Sequence, residues 1–163
     1  MGNNVKTKLK LALLLLSIPL VAKSAFADQT IKVSLWDKGP GVEMVKNMAY
    51  SGKMDHMMSA TMGVKLSIDK VKAGKITFTV KNDAKETIHE MLVIPVDGDA
   101  GPLINEKEGR ISEDSAHSMG EVSETDPGKT GKVTLDLKHG KYLITCNLPG
   151  HYMNGMWSLL TVE

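Results

Sequence analysis

Hydrophobic and polar residues alternate along much of the chain after residue 29, which is the pattern of half-buried β-strands. Over residues 75–81, for example, Ile76, Phe78 and Val80 share one face, and β-branched and aromatic residues of this kind favour strands. The predicted strands cover residues 30–36, 64–69, 75–81, 88–95, 132–137, 141–145 and 157–162. Several short strands separated by turn residues predict an all-β, antiparallel β-sandwich.

Two stretches interrupt this alternation. Residues 97–129 are polar and rich in Gly, Asp, Glu and Ser, so we interpret them as a long excursion with one short strand near residues 120–122. Residues 42–62 contain six methionines, several of them at the i, i+4 spacing of a helix face. They are Met44, Met48, Met54, Met57, Met58 and Met62. Because methionine fills irregular gaps well, this segment predicts a short helical, Met-rich insertion that packs on the sandwich.

The N-terminal segment has the composition of a secretory signal peptide. Three lysines precede an apolar run over residues 11–21, and Ala25 and Ala27 form an A-x-A cleavage site. The apolar run is too short for a comfortable membrane span. We therefore expect a signal peptide over residues 1–27, a single domain over residues 28–163, a periplasmic location and no membrane anchor.

Loss of this segment changes the net charge. The full chain has 20 basic and 19 acidic residues, and four of the lysines but none of the acids lie in residues 1–27. The mature chain therefore carries 16 basic and 19 acidic residues, a net charge of −3. Such mild acidity gives no reason to expect nucleic acid or an anionic membrane as a partner.

Cys146 is the only cysteine of the chain, so an exported form has no internal disulfide. A free thiol in an oxidising compartment is a liability unless something, such as a metal ion, occupies it. A buried, inert cysteine is the alternative, but it fits poorly with the surrounding loop, which is rich in Gly and Pro. The cysteine thus predicts a metal site.

Three residues with metal-binding side chains lie on the loop after the predicted strand 141–145. Four residues separate Cys146 from His151, and four more separate His151 from Met156. A thiolate and imidazoles with a weak axial thioether are the ligands of a blue-copper site. His89, near the start of the predicted strand 88–95, is the candidate for the second imidazole.

A zinc site and an ordinary hydrophobic core are the two alternatives to copper for these residues. Zinc also binds cysteine and histidine, but a thioether is a poor fourth ligand for it. A methionine or a histidine in an ordinary core would explain Met156 or His89 singly, but not the whole set. The pattern therefore favours copper.

With its Cys-x4-His-x4-Met loop, the chain resembles the cupredoxins, and in particular rusticyanin- and auracyanin-like proteins and small periplasmic cupredoxins linked to copper tolerance. The resemblance covers roughly residues 64–162 and implies a Greek-key β-sandwich with one type 1 copper. It further implies that Cys146 is the thiolate ligand, His89 and His151 are the imidazole ligands, and Met156 is the axial thioether.

The resemblance also implies where partners dock. In the family the loop histidine lies near the surface within an apolar patch and is the usual electron port. His151 would take this role here, with Leu148, Pro149 and Tyr152 in the patch. We expect a redox protein, or a copper donor or acceptor, to dock near His151, and we expect the protein to be a monomer.

The chain departs from the family at two positions next to the ligands. Many cupredoxins have Asn after the strand histidine and Ser or Thr after the cysteine, and those side chains connect the two ligand segments. Here the positions hold Glu90 and Asn147. We hypothesise that the Glu90 carboxylate accepts a hydrogen bond from the Asn147 amide.

Two functions remain open at this point, a periplasmic carrier for electron transport and a copper-handling protein for tolerance or delivery. The second would use an additional Cu(I) site in the Met-rich segment, since thioethers select Cu(I). The candidates for this secondary site are Met54, His56, Met57, Met58 and Met62. An enzyme is not expected, because copper oxidases and nitrite reductases need clustered histidines, whereas this chain has five histidines and no His-x-His pair.

Overall fold

The computed structural model describes residues 29–43, 45, 47–52 and 59–163. The predicted signal peptide over residues 1–27 lies outside the described residues, and its boundary with the domain stays a prediction. Four of the five candidates for a secondary copper site also lie outside them, namely Met54, His56, Met57 and Met58.

The described part of the molecule contains two large β-sheets, as the alternating pattern predicts, and a small two-stranded sheet. The strands are β1 (Gln29–Asp37), β2 (Met62–Leu66), β3 (Lys70–Val71), β4 (Gly74–Asn82), β5 (His89–Val96), β6 (Ile104–Asn105), β7 (Arg110–Ile111), β8 (Gly120–Thr125), β9 (Thr130–Leu137), β10 (Gly140–Thr145) and β11 (Trp157–Val162). One large sheet has the order β2-β1-β4-β9, the other has the order β3-β11-β10-β5-β8, and β6 and β7 form the small sheet. A four-residue helix, α1 (Glu113–Ala116), and a 3-10 turn over Tyr152–Asn154 are the helical elements described. The predicted all-β sandwich is confirmed.

Two strand pairs differ from the predicted antiparallel arrangement. β1 pairs with β4 in parallel, and β11 pairs with β3 in parallel. Parallel neighbours need a crossover connection. The chain between β1 and β4 supplies this connection. It crosses to the five-stranded sheet, where it forms β3, and then returns to the four-stranded sheet, where β4 lies beside β1.

The predicted helical insertion over residues 42–62 is not found in its described part. Residues 42–43, 45, 47–52 and 59–61 form turns and irregular backbone, and Met62 begins β2 instead of ending a helix. Met62 pairs with Asp37 in the β1–β2 ladder and is buried in the core. The i, i+4 spacing of this methionine is misleading because strand pairing decides its backbone conformation.

The inner faces of the two sheets pack on each other. Ile31, Val33, Phe78, Val93 and Ile144 are all fully or almost fully buried in this core, with 14 further buried residues around them. Alternating residues of each strand supply this face, as the period of two requires.

The five-stranded sheet is covered on its outer face as well. Leu92 and Ile94 of β5 form a second buried cluster with Tyr50, Tyr152 and Trp157. Ile111 and Ala116 of the polar excursion also belong to this cluster. The burial of both faces explains why β5 has a nearly continuous apolar sequence. In the part of the chain that the structure describes, no helix is long and apolar enough to cross a membrane.

Candidate metal centre

Three side chains that can bind a metal meet at one end of the sandwich. The Cys146 Sγ lies 3.3 Å from His151 Nδ1 and 4.0 Å from His89 Nδ1. The two Nδ1 atoms are 3.2 Å apart, and the three ligand atoms lie within 4.8 Å of one another. The structure therefore brings together three of the four residues predicted as copper ligands from positions up to 62 residues apart in sequence.

The pairing of β5 with β10 places His89 and Cys146 at the same end of the sandwich. His89 begins β5, and Cys146 immediately follows β10, which pairs with β5 in antiparallel fashion. The β5–β8 ladder is irregular between His89 and Met91. Such an irregularity re-aims a side chain, and it occurs here at the strand histidine.

The loop between β10 and β11 is closed by its own backbone. The Cys146 N–H donates to the Met156 carbonyl at 3.1 Å, and the Met156 N–H donates to the His151 carbonyl at 3.0 Å. Gly150 and Gly155 have φ angles of +84° and +92°, which favour glycine. These hydrogen bonds and glycine turns bring His151 and Met156 back toward Cys146.

Met156, the fourth predicted ligand, is fully buried. It belongs to the same core cluster as Cys146. Its backbone carbonyl also accepts a hydrogen bond from the Thr145 hydroxyl at 2.9 Å. These contacts fix the backbone of Met156 beside the three converging ligands.

The thiol of Cys146 is out of contact with water. Burial raises the pKa of Cys146 to about 12, which the Glu90 and Leu148 backbone N–H groups partly oppose. The Glu90 N–H lies 3.5 Å from Sγ. A thiolate here therefore needs a positive ion to compensate for the lost hydration.

Both imidazoles are held in the neutral form that binds metals. Burial lowers the pKa of His151 to about 4, and the neighbouring His89 contributes to this lowering. Burial also lowers the pKa of His89, although the nearby Asp37 carboxylate opposes this effect. At neutral pH each ring therefore has one nitrogen with a free lone pair.

Glu90 and Asn147 are connected by a hydrogen bond. The backbone N–H of Asn147 donates to Glu90 Oε1 at 3.0 Å. The Asn147 side chain also bonds to the backbone of Ile111, accepting from its N–H at 2.7 Å and donating to its carbonyl at 3.2 Å. Glu90 thus joins the two ligand segments, while Asn147 attaches the polar excursion to the ligand loop.

Sequence reasoning missed one residue at the centre. Asp37 Oδ2 lies 3.3 Å from His89 Nε2. Asp37 precedes a Lys-Gly-Pro-Gly sequence, which is typical of a turn and gives no indication of a metal site. No feature of the local sequence indicates that Asp37 lies beside His89.

The surroundings of His151 differ in part from the expected patch. Leu148 is half-buried and Pro149 is exposed, but Tyr152 is 1% exposed and its hydroxyl accepts a hydrogen bond from the Tyr50 N–H. Tyr152 is therefore a core residue, not a patch residue. A cavity of about 180 Å³ adjoins His151, and Asp37 also lines it.

The donor set fits copper. Two neutral imidazoles and a buried thiol, with the thioether of Met156 in the core cluster that also contains Cys146, match the ligand types of a mononuclear blue-copper site. Zinc would favour a stronger fourth donor than a thioether. The pairing of one His89 nitrogen with a carboxylate is also common at metal sites.

Comparison with known proteins supports this interpretation. The family model described as "Copper binding proteins, plastocyanin/azurin family" matches residues 56–163. No curated protein sequence is significantly similar to the chain.

Solved structures show the same fold. Reduced rusticyanin is 17% identical with a TM-score of 0.53, over 85% of this chain and 82% of that chain. Reduced auracyanin from the photosynthetic bacterium Roseiflexus castenholzii is 17% identical with a TM-score of 0.50, over 84% of this chain and 98% of that chain.

Proposed function

The chain belongs to the plastocyanin/azurin family of copper-binding proteins, and we propose that it binds one type 1 copper through His89, Cys146, His151 and Met156 and transfers single electrons. The observation that carries this proposal is the convergence of a buried thiol and two neutral imidazoles within 4.8 Å. Bound copper would supply a one-electron couple between Cu(II) and Cu(I). The protein's contribution is to hold the ligands in place, so that little rearrangement accompanies the change of charge.

His151 is the proposed route for electrons. It is the partly exposed member of the cluster, whereas His89 and Cys146 are 0% exposed. A redox protein, or a copper donor or acceptor, would dock at the surface around Leu148 and Pro149. The predicted signal peptide supports a periplasmic location, and the absence of a His-x-His pair supports a carrier rather than an enzyme.

A copper-handling role is the second candidate. The described part of the Met-rich segment contacts the ligand loop directly. The Met48 N–H donates to the Met153 carbonyl at 2.9 Å, and the Trp157 indole N–H donates to the Met48 carbonyl at 2.6 Å. In this second role the protein would bind additional Cu(I) through the thioethers of the Met-rich segment.

A copper titration of the mature protein tests the proposal. We expect an intense thiolate-to-copper absorption band that saturates at one equivalent and is lost in Cys146→Ser. Two matched variants, His151→Asn and His139→Asn, compare the loss of a proposed ligand with the loss of another histidine. His139 is the control because it is exposed and lies outside the cluster. The His139 variant should keep the band and the His151 variant should lose or shift it. A wild-type protein without the band would contradict the proposal.

Counting bound Cu(I) distinguishes the two candidate functions. A count that stops at one favours the electron carrier. A count above one that returns to one in Met54/Met58/Met62→Leu favours copper handling.

A further inference from the structure

We propose that Asp37 is a positioning residue for the metal centre: its carboxylate holds the proton of His89 on Nε2, so that Nδ1 faces Cys146 and His151. This inference rests on the proposed copper site. It adds a residue from the first strand, outside the two segments that carry the ligands, and assigns to it control of both the orientation and the electronic properties of His89.

The two ring nitrogens of His89 face different groups. Nδ1 lies 3.2 Å from His151 Nδ1 and 4.0 Å from Cys146 Sγ, whereas Nε2 lies 3.3 Å from Asp37 Oδ2. A neutral imidazole carries a proton on one nitrogen and a lone pair on the other. Since an ionised carboxylate only accepts hydrogen bonds, the proton belongs on Nε2 and the lone pair on Nδ1.

The burial of His89 makes its contact with Asp37 favour one of the two neutral tautomers. His89 is 0% exposed, so its N–H has to find a partner within the protein. With the proton on Nδ1 instead, Nε2 would direct a lone pair at the carboxylate, and the two acceptors would repel each other. The tautomer that binds a metal through Nδ1 is therefore favoured before any metal arrives.

Asp37 is itself held firmly. It is the last residue of β1 and pairs with Met62 of β2. Its Oδ1 accepts the Gly39 N–H at 2.9 Å, and the side chain of Asp37 is only 7% exposed. Gly39 has a φ of +92°, which suits the turn that closes this bond. A fixed carboxylate can define a ring orientation, whereas a mobile surface carboxylate cannot.

The charge of Asp37 has a second consequence. A carboxylate hydrogen-bonded to a ligating imidazole makes that imidazole a stronger donor. Extra negative charge near the site stabilises Cu(II) more than Cu(I), because the electrostatic attraction grows with the charge of the ion. Removal of this charge should therefore raise the reduction potential.

The test compares Asp37→Asn with Asp83→Asn. Asp83 is the matched control, because its carboxylate is also hydrogen-bonded, to Ser34 Oγ at 2.6 Å and to Lys81, but these partners are not in the ligand cluster. Asparagine retains the shape and removes the charge. We expect Asp37→Asn to shift the Cu(II)-to-Cu(I) affinity ratio by about tenfold, which is about 59 mV for one electron. We expect about 10-fold or greater loss of Cu(II) affinity in the same variant.

Nitrogen-15 NMR of the metal-free protein gives an independent result that does not depend on a loaded site. In the wild type, the His89 proton should lie on Nε2, and Asp37→Asn should give a mixture of the two tautomers. Asp83→Asn should retain the wild-type tautomer. If Asp37→Asn does not fold, the wild-type spectrum still decides the position of the proton.

The outcomes separate this inference from the proposed function. A wild-type His89 with its proton on Nδ1, or equal potentials for Asp37→Asn and Asp83→Asn, would overturn the role of Asp37 and leave the copper site intact. A wild-type protein that never forms the thiolate-to-copper band would instead overturn the proposed function.

Discussion

Acid should destabilise the metal-free protein through His151. Its pKa in the folded state is about 4, against 6.5 for an ordinary histidine, chiefly because the ring is buried and secondly because His89 lies beside it. The unfolded chain therefore binds a proton at a higher pH than the folded chain. The stabilising contribution is present in full above about pH 6.5 and is lost as the pH falls toward about 4.

The size of the loss follows from the same pKa values. One proton contributes about 1.4 kcal/mol for each pH unit between the two pKa values. The interval from 6.5 to about 4 then corresponds to about 3 kcal/mol for a fully buried ring. Since the ring of His151 is partly exposed, we expect about 2 kcal/mol after allowance for solvent screening.

The assay is urea unfolding of the metal-free, reduced protein between about pH 7 and about pH 4.5, followed by the fluorescence of Trp36 and of the buried Trp157. The wild type should lose about 2 kcal/mol more than His151→Asn over this range. His139→Asn, which removes an exposed histidine, should follow the wild type. Equal losses in the wild type and His151→Asn would refute the argument that burial keeps this imidazole neutral.

Two further substitutions test the connection between the ligand segments and the core. Glu90→Gln should reduce the free energy of unfolding by about 1 kcal/mol, because the bond from the Asn147 N–H loses its charged acceptor, and should raise the reduction potential. An unchanged spectrum, potential and urea midpoint would show that the Glu90 charge has no effect on the site. Phe78→Ala should cost about 3–5 kcal/mol in urea unfolding, since Phe78 is fully buried between the sheets. A loss no larger than that of the exposed control Thr30→Ala would contradict the assignment of Phe78 to the core.

The strands were the most predictable part of the fold. In β4, Ile76, Phe78 and Val80 all point into the core as their alternation indicates, because the period of two is a property of the extended backbone itself. The parallel pairing of β1 with β4 was not predictable in this way. A strand has the same period whether its neighbour runs parallel or antiparallel, so the pattern carries no information about direction.

The Met-rich segment shows the limit of local spacing. The i, i+4 relation of Met58 and Met62 is compatible with a helix, yet Met62 lies in β2 opposite Asp37. Pairing with β1 satisfies the backbone groups of this residue and buries its side chain, and these tertiary contacts outweigh a weak helical preference.

The sequence alone determined the alternating strands and the grouping of Cys146, His151 and Met156, since those three residues share one short loop whose turns are made by local glycines. Only the tertiary structure determined that Asp37 meets His89, 52 residues further along the chain. Asp37 sits in a sequence typical of a turn, and nothing in its neighbours indicates a partner on another strand. The contact arises because the end of β1 in one sheet and the start of β5 in the other lie at the same edge of the sandwich, an arrangement set by long-range packing of the two sheets.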